Sequence, residues 1–232
     1  MIPAGDSVFS LGFGLEARWI SKLDVPFPFL GFTPLALYEN KYVLGGSCDG
    51  RDPLGNSNET YAFALDVKTG QLVWKTPTMG APVGVAVSKG VAVVAGWRKS
   101  GVVGLDAESG KLLWQLPLEP IAGFPQDPMP VAISGKAVFF GTANGGGFYR
   151  VGLMSGNIEW HNSNVSSDSP CVVAGSNVFV VDQNRNVAVL DSETGNVVLQ
   201  SQIGASTVAI IAPCTLLVSS AMQGTVAVYR VE

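Results

Sequence analysis

The chain has 232 residues, of which 47% are hydrophobic and only 14% are charged, and its formal net charge is −4. A net negative charge argues against a nucleic-acid partner, because phosphate contacts need a basic surface. No apolar run approaches the roughly 20 residues that a transmembrane helix needs. The composition therefore favours a globular protein with a large apolar core, and we expect no membrane span.

The start of the chain and its cysteines bear on the compartment. MIPAGDSVFSLG has no basic stretch followed by an apolar one, so we expect no secretory signal here. Cys48, Cys171 and Cys214 form an odd, widely spaced set without a C-x-x-C pair, which favours buried free thiols over a disulfide. Localisation stays open, with a lean towards the reducing cytoplasm.

Short predicted strands occupy the first 60 residues. SVFSLGFG and LEARWISKL come first, and the second of them carries Trp19. PLALYE and KYVLGG follow. PLALYE begins with Pro34, and proline is tolerated there because the first residue of a strand does not need to donate an N–H group.

Residues 61–77, YAFALDVKTGQLVWKTP, predict a β-hairpin. The period-two alternation in YAFALD is typical of a strand. In the turn, Asp66 and Thr69 can accept hydrogen bonds from nearby backbone N–H groups, and Gly70 can take the positive φ that ends such a turn. The returning strand carries Trp74 as its large apolar anchor.

The hairpin pattern recurs three more times, at intervals of 40, 46 and 39 residues between the turn glycines. The matching residues are Asp106, Gly110 and Trp114 in the second copy, Gly156 and Trp160 in the third, and Asp191 and Gly195 in the fourth. Gly152 replaces the aspartate in the third copy, and Leu199 replaces the tryptophan in the fourth. A strand-turn-strand unit at this period is typical of a β-propeller.

The motif D-x-x-[ST]-G-x-x-x-W resembles the PQQ-like repeat of the quinoprotein alcohol dehydrogenase-like superfamily. Two copies match in full and two in part, and with the intervening strands they cover nearly the whole chain. The resemblance implies an all-β propeller of four-stranded antiparallel blades, in which each repeat tryptophan docks against the neighbouring blade. It implies a reaction only weakly, because that superfamily contains both enzymes and catalytically silent scaffolds.

We predict a single domain, 1–232, with five blades. They are predicted at residues 33–77, 82–118, 128–164, 168–204 and 205–232, the last completed by residues 8–24. In this arrangement residues 15–23 pair antiparallel with residues 226–231 and close the ring, with Trp19 in the same setting as Trp74. The alternative is a piece of a larger ring, because SVFSLGFG itself resembles a third blade strand and relatives of this repeat commonly have seven or eight blades.

The longer loops fall on one predicted face, at residues 46–58, 97–100, 118–129 and 143–147, and such loops are where function tends to sit. Tryptophan and arginine are typical of interaction hot spots. The candidate binding residues, expected near one another at the channel mouth, are Arg51, Asp52, Trp97, Arg98 and Arg185.

Metal and catalytic sites have little support in the sequence. Asp49, Asp52, Asn56, Asn58 and Glu59 could offer oxygen ligands to calcium, but their spacing is not that of an EF-hand loop, so we predict a solvated polar loop. His161 is the only histidine, and no G-x-S-x-G motif is present, so we predict no catalytic residue.

We therefore predict a non-catalytic propeller that binds a protein partner or serves as an assembly scaffold, without a cofactor. The first alternative is a small PQQ-dependent oxidoreductase, for which the resemblance implies PQQ and calcium as cofactors. Adjacent cysteines, which many such dehydrogenases use, are absent from this chain. The second alternative is a carbohydrate-binding propeller.

Overall fold

The computed structural model describes residues 2–4, 7–11, 16–22, 35–48, 60–98, 100–212, 215–220 and 224–230. Over these ranges every regular element is a β-strand, and no helix is long and apolar enough to cross a membrane. The chain divides into two compact units, Met1–Leu118 and Glu119–Glu232.

The first unit contains three antiparallel sheets, in which the strands follow one another in chain order. The three-stranded sheet consists of β1 (Ile2–Ala4), β2 (Ser7–Leu11) and β3 (Ala17–Lys22). The next sheet consists of β4 (Ala36–Tyr38), β5 (Tyr42–Cys48), β6 (Thr60–Asp66) and β7 (Leu72–Pro77). The third consists of β8 (Ala81–Ser88), β9 (Val91–Trp97), β10 (Gly101–Asp106) and β11 (Leu112–Pro117).

The inner strands of a sheet are more deeply buried than its outer strand. In β6 the five residues between Thr60 and Asp66 are all buried, because sheets cover both of its faces. In the outer strand β7 only Trp74 is buried, while Leu72 and Val73 are exposed. Two apolar clusters lie between the sheets of this unit, one around Phe63 and Leu65 and the other around Trp74 and Leu105.

The predicted pairing of residues 15–23 with residues 226–231 is wrong. β3 pairs with β2 instead, from Ser7 opposite Lys22 to Leu11 opposite Ala17. Pairing with the preceding strand closes a far shorter loop than pairing with the far end of the chain, and so costs less entropy. In the described residues, β3 (Ala17–Lys22) and Thr225–Arg230 belong to different sheets. The number of blades stays a prediction.

The second unit also contains three antiparallel sheets in chain order. The first consists of β12 (Ala132–Ser134), β13 (Ala137–Thr142), β14 (Gly147–Gly152) and β15 (Ile158–Asn162). The next consists of β16 (Val172–Ala174), β17 (Asn177–Val181), β18 (Val187–Asp191) and β19 (Val197–Ser201). A three-stranded sheet follows, with β20 (Thr207–Ala212), β21 (Thr215–Ser220) and β22 (Thr225–Arg230).

The core of the second unit follows the same plan. One apolar cluster, around Phe139, Phe148 and Leu190, joins its two four-stranded sheets. Another, around Phe179 and Leu216, joins the middle sheet to the last. The prediction of an all-β chain built from four-stranded antiparallel sheets is confirmed, with four such sheets in the described residues.

The repeat turns are hairpins, and in three of the four a single carboxylate holds the turn, whereas the third has Gly152 in its place. In the first, Asp66 Oδ1 accepts hydrogen bonds from the N–H of Thr69 at 2.8 Å and from its hydroxyl at 2.9 Å. Gly70, at φ 72°, donates its N–H to the Asp66 carbonyl oxygen at 2.8 Å. The bonds from Thr69, Ser109 and Thr194 lower the pKa values of Asp66, Asp106 and Asp191 respectively, because they stabilise each ionised carboxylate.

Each repeat tryptophan with a described partner binds the turn of the following sheet. The indole N–H of Trp74 donates to the Ala107 carbonyl oxygen at 3.1 Å, and Trp19 and Trp160 do the same to Val67 and Ser192 at 2.9 and 3.0 Å. The acceptor is in every case the residue directly after the turn aspartate. Trp74 and Trp114 are buried, whereas Trp19 and Trp160 are half-buried.

The glycine that ends each turn makes room for the tryptophan. A Cβ added to Gly110 would lie 2.6 Å from the Trp74 ring, and one added to Gly195 would lie 2.6 Å from Trp160. Gly70 stands in the same relation to Trp19. These glycines therefore serve two purposes, a positive φ and a close approach of the aromatic ring.

Candidate functional site

The loop at residues 119–129, hereafter the docking loop, is the most distinctive feature of the second unit. Its tip is a two-residue hairpin in which Ile121 and Phe124 exchange two backbone hydrogen bonds, each of 2.9 Å. Ala122 and Gly123 between them have φ values of 51° and 82°, as a type I′ turn requires. The side chains of Ile121 and Phe124 are 41% and 62% exposed.

A buried glutamine holds the base of the docking loop. Gln126 is buried, and its Oε1 atom accepts a hydrogen bond from the Tyr149 hydroxyl at 3.0 Å, while its Nε2 atom donates to the Glu119 carbonyl oxygen. Because Gln126 bonds both Tyr149 on β14 and the first residue of the loop, it fixes the two ends of the hairpin over the sheet.

Tyr149 is itself fixed by aromatic stacking. Its ring lies between those of Phe140 and His161, with centroid distances of 5.2 and 4.2 Å and nearly parallel planes. His161 Nε2 donates to the Gly146 carbonyl oxygen at 2.8 Å. Burial raises the pKa of Tyr149, so its hydroxyl remains a neutral donor towards Gln126.

The turn at residues 143–147 clamps the docking loop from the side. Asn144 Nδ2 donates to the Pro125 carbonyl oxygen at 2.8 Å, and the Ala143 N–H donates to the Asp127 carbonyl oxygen at 2.9 Å. A Cβ on Gly146 would collide with Gln126 Oε1 and with Thr142 Oγ1, so only glycine allows this approach. The docking loop is thus an ordered platform that presents two apolar side chains.

A polar cleft of about 330 Å³ opens among the next loops of the same unit. Arg185, one of the predicted binding residues, lines it together with Asp168 and Gln183. Its backbone is fixed at φ 63°, because its N–H donates to the Asp182 carbonyl oxygen and its own carbonyl accepts from Ala205, each at 2.9 Å. The cleft supplies a charged and polar neighbourhood on the second unit.

The other predicted binding residues divide into two groups. Trp97 and Arg98 lie together on the first unit, with the guanidinium carbon 4.4 Å from the centre of the indole ring. Arg51 and Asp52 lie outside the described residues, as do all five residues considered for calcium. The convergence of these residues with Arg185 stays a prediction.

Sequence reasoning selected the long loop but not its key residues. Ile121 and Phe124 flank Ala122-Gly123, a pattern that indicates a two-residue turn between apolar side chains. Gln126 and Tyr149 carry no such signal, because their pairing depends on tertiary contacts. Among the described residues, no three His, Cys, Asp or Glu side chains are grouped so that they could hold a metal ion.

Comparison with known proteins identifies the family of this chain. Residues 58–210 match the family model described as outer membrane protein assembly factor BamB. The chain is 30% identical to BamB of Yersinia pestis over 155 residues, which is 60% of this chain and 37% of that protein. The chain thus spans little more than a third of the length of this curated relative.

Two crystal structures show the same fold at low sequence identity. BamB from Moraxella catarrhalis matches with a TM-score of 0.71 and 16% identity, over 98% of this chain and 69% of that one. A quinohemoprotein alcohol dehydrogenase from Pseudomonas putida HK5 matches with a TM-score of 0.62 and 17% identity, over 87% and 41% respectively. The family model covers well over half of the sequence, and the chain therefore belongs to the BamB family of PQQ-like-repeat β-propellers.

Proposed function

We propose that this protein is a non-catalytic scaffold in outer membrane protein assembly and that it binds a protein partner through the docking loop. The observation that carries the proposal is the exposure of Ile121 and Phe124 at the tip of a loop that is held in place from beneath. The name of its relatives, outer membrane protein assembly factor, supports the biological setting.

The physical argument rests on preorganisation. Burying Phe124 and Ile121 against a partner removes apolar surface from water, which favours association. A flexible loop would lose conformational freedom on binding and so weaken the complex. The bonds from Gln126 and Asn144 restrict the docking loop before the partner arrives, so less entropy is lost.

The second unit also offers polar groups for a protein partner. Protein interfaces commonly combine a small apolar centre with a polar rim. The cleft that contains Asp168, Gln183 and Arg185 offers charged and hydrogen-bonding groups on the same unit as Ile121 and Phe124. A sugar site would need an aromatic platform, and none of the residues that line this cleft is aromatic.

Photo-cross-linking from a single position tests the proposal. A photoreactive phenylalanine analogue at position 124, in the full chain in its own host, should give a discrete cross-linked product. Mass spectrometry should identify the second protein as a component of outer membrane protein assembly. The matched control is position 154, because Met154 is 63% exposed but lies in the β14–β15 hairpin, at the opposite end of the sheet.

The outcomes are distinct. A product from position 124 that position 154 does not give, and that the Ile121→Ser substitution reduces, supports docking at this loop. Equal products from both positions, or none from position 124, contradict it. Cell fractionation is a second test, because the proposed role requires the protein to be outside the cytoplasm. The sequence by itself favours the cytoplasm, so the two expectations differ.

We also propose that the protein works without PQQ or calcium. Its likeness to the quinohemoprotein dehydrogenase is a likeness of fold, at 17% identity. The residues that the chain shares with the PQQ-like repeat are those that hold the turns and the tryptophans in place. None of them has a role in a redox reaction.

A further inference from the structure

The turn that clamps the docking loop contains a chemically unstable pair of residues. Asn144-Gly145 is the only Asn-Gly pair in the sequence. Asn144 is exposed, and its side-chain amide is the group that donates to the Pro125 carbonyl oxygen at 2.8 Å. The same amide therefore anchors the loop and is open to hydrolysis.

We propose that Asn144 is a site of spontaneous deamidation, with water as the reagent, and that the reaction releases one anchor of the docking loop. The backbone nitrogen of Gly145 attacks Asn144 Cγ, forming a C–N bond and closing a succinimide ring. The Cγ–Nδ2 bond breaks, and ammonia leaves with the proton that Gly145 gives up. Water then opens the ring at either carbonyl, so the product is aspartate or isoaspartate.

The structure favours attack at this position. The Gly145 N–H makes no hydrogen bond with any described residue, so no hydrogen bond to this nitrogen has to break before it loses its proton and attacks. A Cβ placed on Gly145 would meet no atom within 4 Å, which leaves space for the peptide to rotate. Asn157 and Asn164 are equally exposed, but they precede the β-branched residues Ile158 and Val165, which crowd the attacking nitrogen.

Deamidation changes the contact with the docking loop. The side chain of an aspartate at position 144 has no N–H to donate, and its carboxylate would face the Pro125 carbonyl oxygen, so a hydrogen bond becomes a repulsion. An isoaspartate also lengthens the backbone of a turn in which Gly147 must still reach Ser166 Oγ, at 3.0 Å. Both products loosen the loop next to Pro125.

Deamidation of Asn144 does not depend on the proposed function. Its effect on partner binding does rest on the proposed function. The full-length protein is incubated at mildly alkaline pH, and samples are analysed by peptide mapping with mass spectrometry. Asn144 should convert first, with Asn157 and Asn164 unchanged when half of Asn144 has reacted. In the aged protein, amide hydrogen exchange in residues 119–129 should rise about fivefold, as the loss of one hydrogen bond implies.

Two variants complete the test. Asn144→Asp should show the faster exchange of the docking loop without ageing, and Gly145→Ala should keep Asn144 intact, because its methyl group hinders the attacking nitrogen. Conversion of Asn144 no faster than that of Asn157 and Asn164 would overturn the proposal, and so would faster conversion with unchanged exchange in residues 119–129. Failure of the scaffold function would instead appear as missing cross-links from position 124 in freshly prepared, unconverted protein.

Discussion

The two ends of the sheets are built on different principles. At one end are the repeat turns, and Asp66, Asp106 and Asp191 each accept a hydrogen bond of 2.8 Å from the N–H three residues later. At the other end, side chains bond residues far apart in the chain: Gln126 to Tyr149, Asn144 to Pro125 and, in the following sheet, Gln183 to Asp168. Repeated short-range bonds hold the turns, and bonds between residues far apart in the chain hold the loops, including the loop that we assign to function.

The largest effect should come from removing a repeat tryptophan. Trp74→Ala should lower the free energy of unfolding by ~3–5 kcal/mol, because the change leaves a cavity beside Leu105 and removes the bond to Ala107. Leu113→Ala, at a residue 44% exposed on β11, is the control and should cost within ~1 kcal/mol. Urea denaturation measures both. Equal losses would show that the tryptophan does not carry the contact between sheets.

A pair of glycine substitutions compares the two ends directly. Gly110 and Gly123 both have positive φ, at 71° and 82°. Gly110→Ala should cost about 2–4 kcal/mol, because the methyl group is strained and also displaces Trp74. Gly123→Ala has open space and should cost only about 1 kcal/mol of strain. Thermal unfolding of both variants should therefore separate close packing from backbone conformation, and similar shifts would refute the distinction.

Acid should weaken the repeat turns. The pKa values of Asp66, Asp106 and Asp191 are lower in the folded protein than in the unfolded chain. Their stabilising effect is complete above the ordinary carboxyl pKa and is lost as the pH falls through the folded values, so stability should decline below about pH 4. Replacing all three by asparagine should flatten that part of the curve of stability against pH. An unchanged slope would mean that other groups control acid unfolding.

Substitution of the exposed tip should leave stability almost unchanged. Phe124→Ser together with Ile121→Ser should shift the free energy of unfolding by within ~0.5 kcal/mol, because both side chains are exposed. The same double substitution should abolish partner cross-linking, recorded from a photoreactive residue at neighbouring position 122. A large loss of stability would instead make the tip a structural element.

The addition of PQQ and calcium should have no measurable effect on redox activity. Adding PQQ with Ca²⁺ and following dye reduction with alcohols or aldoses should give rates equal to background. Turnover above background would favour the dehydrogenase alternative and would contradict the proposal of a non-catalytic scaffold.

The sequence predicted the repeated part of the molecule better than the unique part. The motif Asp-x-x-[Ser/Thr]-Gly identified the hairpins, because all of its hydrogen bonds lie within five residues. The closing strand was misplaced because Trp19 resembles Trp74 in its own sheet, and that local likeness does not specify which strand lies beside it. The support of the docking loop escaped prediction because Gln126 and Tyr149 are 23 residues apart and meet only in the folded chain.

The tryptophan contact has a consequence for how such a chain can change in length over evolution. A single repeat contains both an indole that donates a hydrogen bond to the following sheet and a turn that accepts one from the preceding sheet. In one sheet, Trp74 donates to Ala107 and the turn at Asp66 accepts from Trp19. A repeat with both features can therefore follow any other such repeat without new complementary substitutions, whereas the fourth copy, with Leu199 in place of the tryptophan, lacks the donor. Duplication or deletion of such a repeat preserves the bond from tryptophan to turn, so the number of repeats is free to vary among relatives while the repeat itself stays constant.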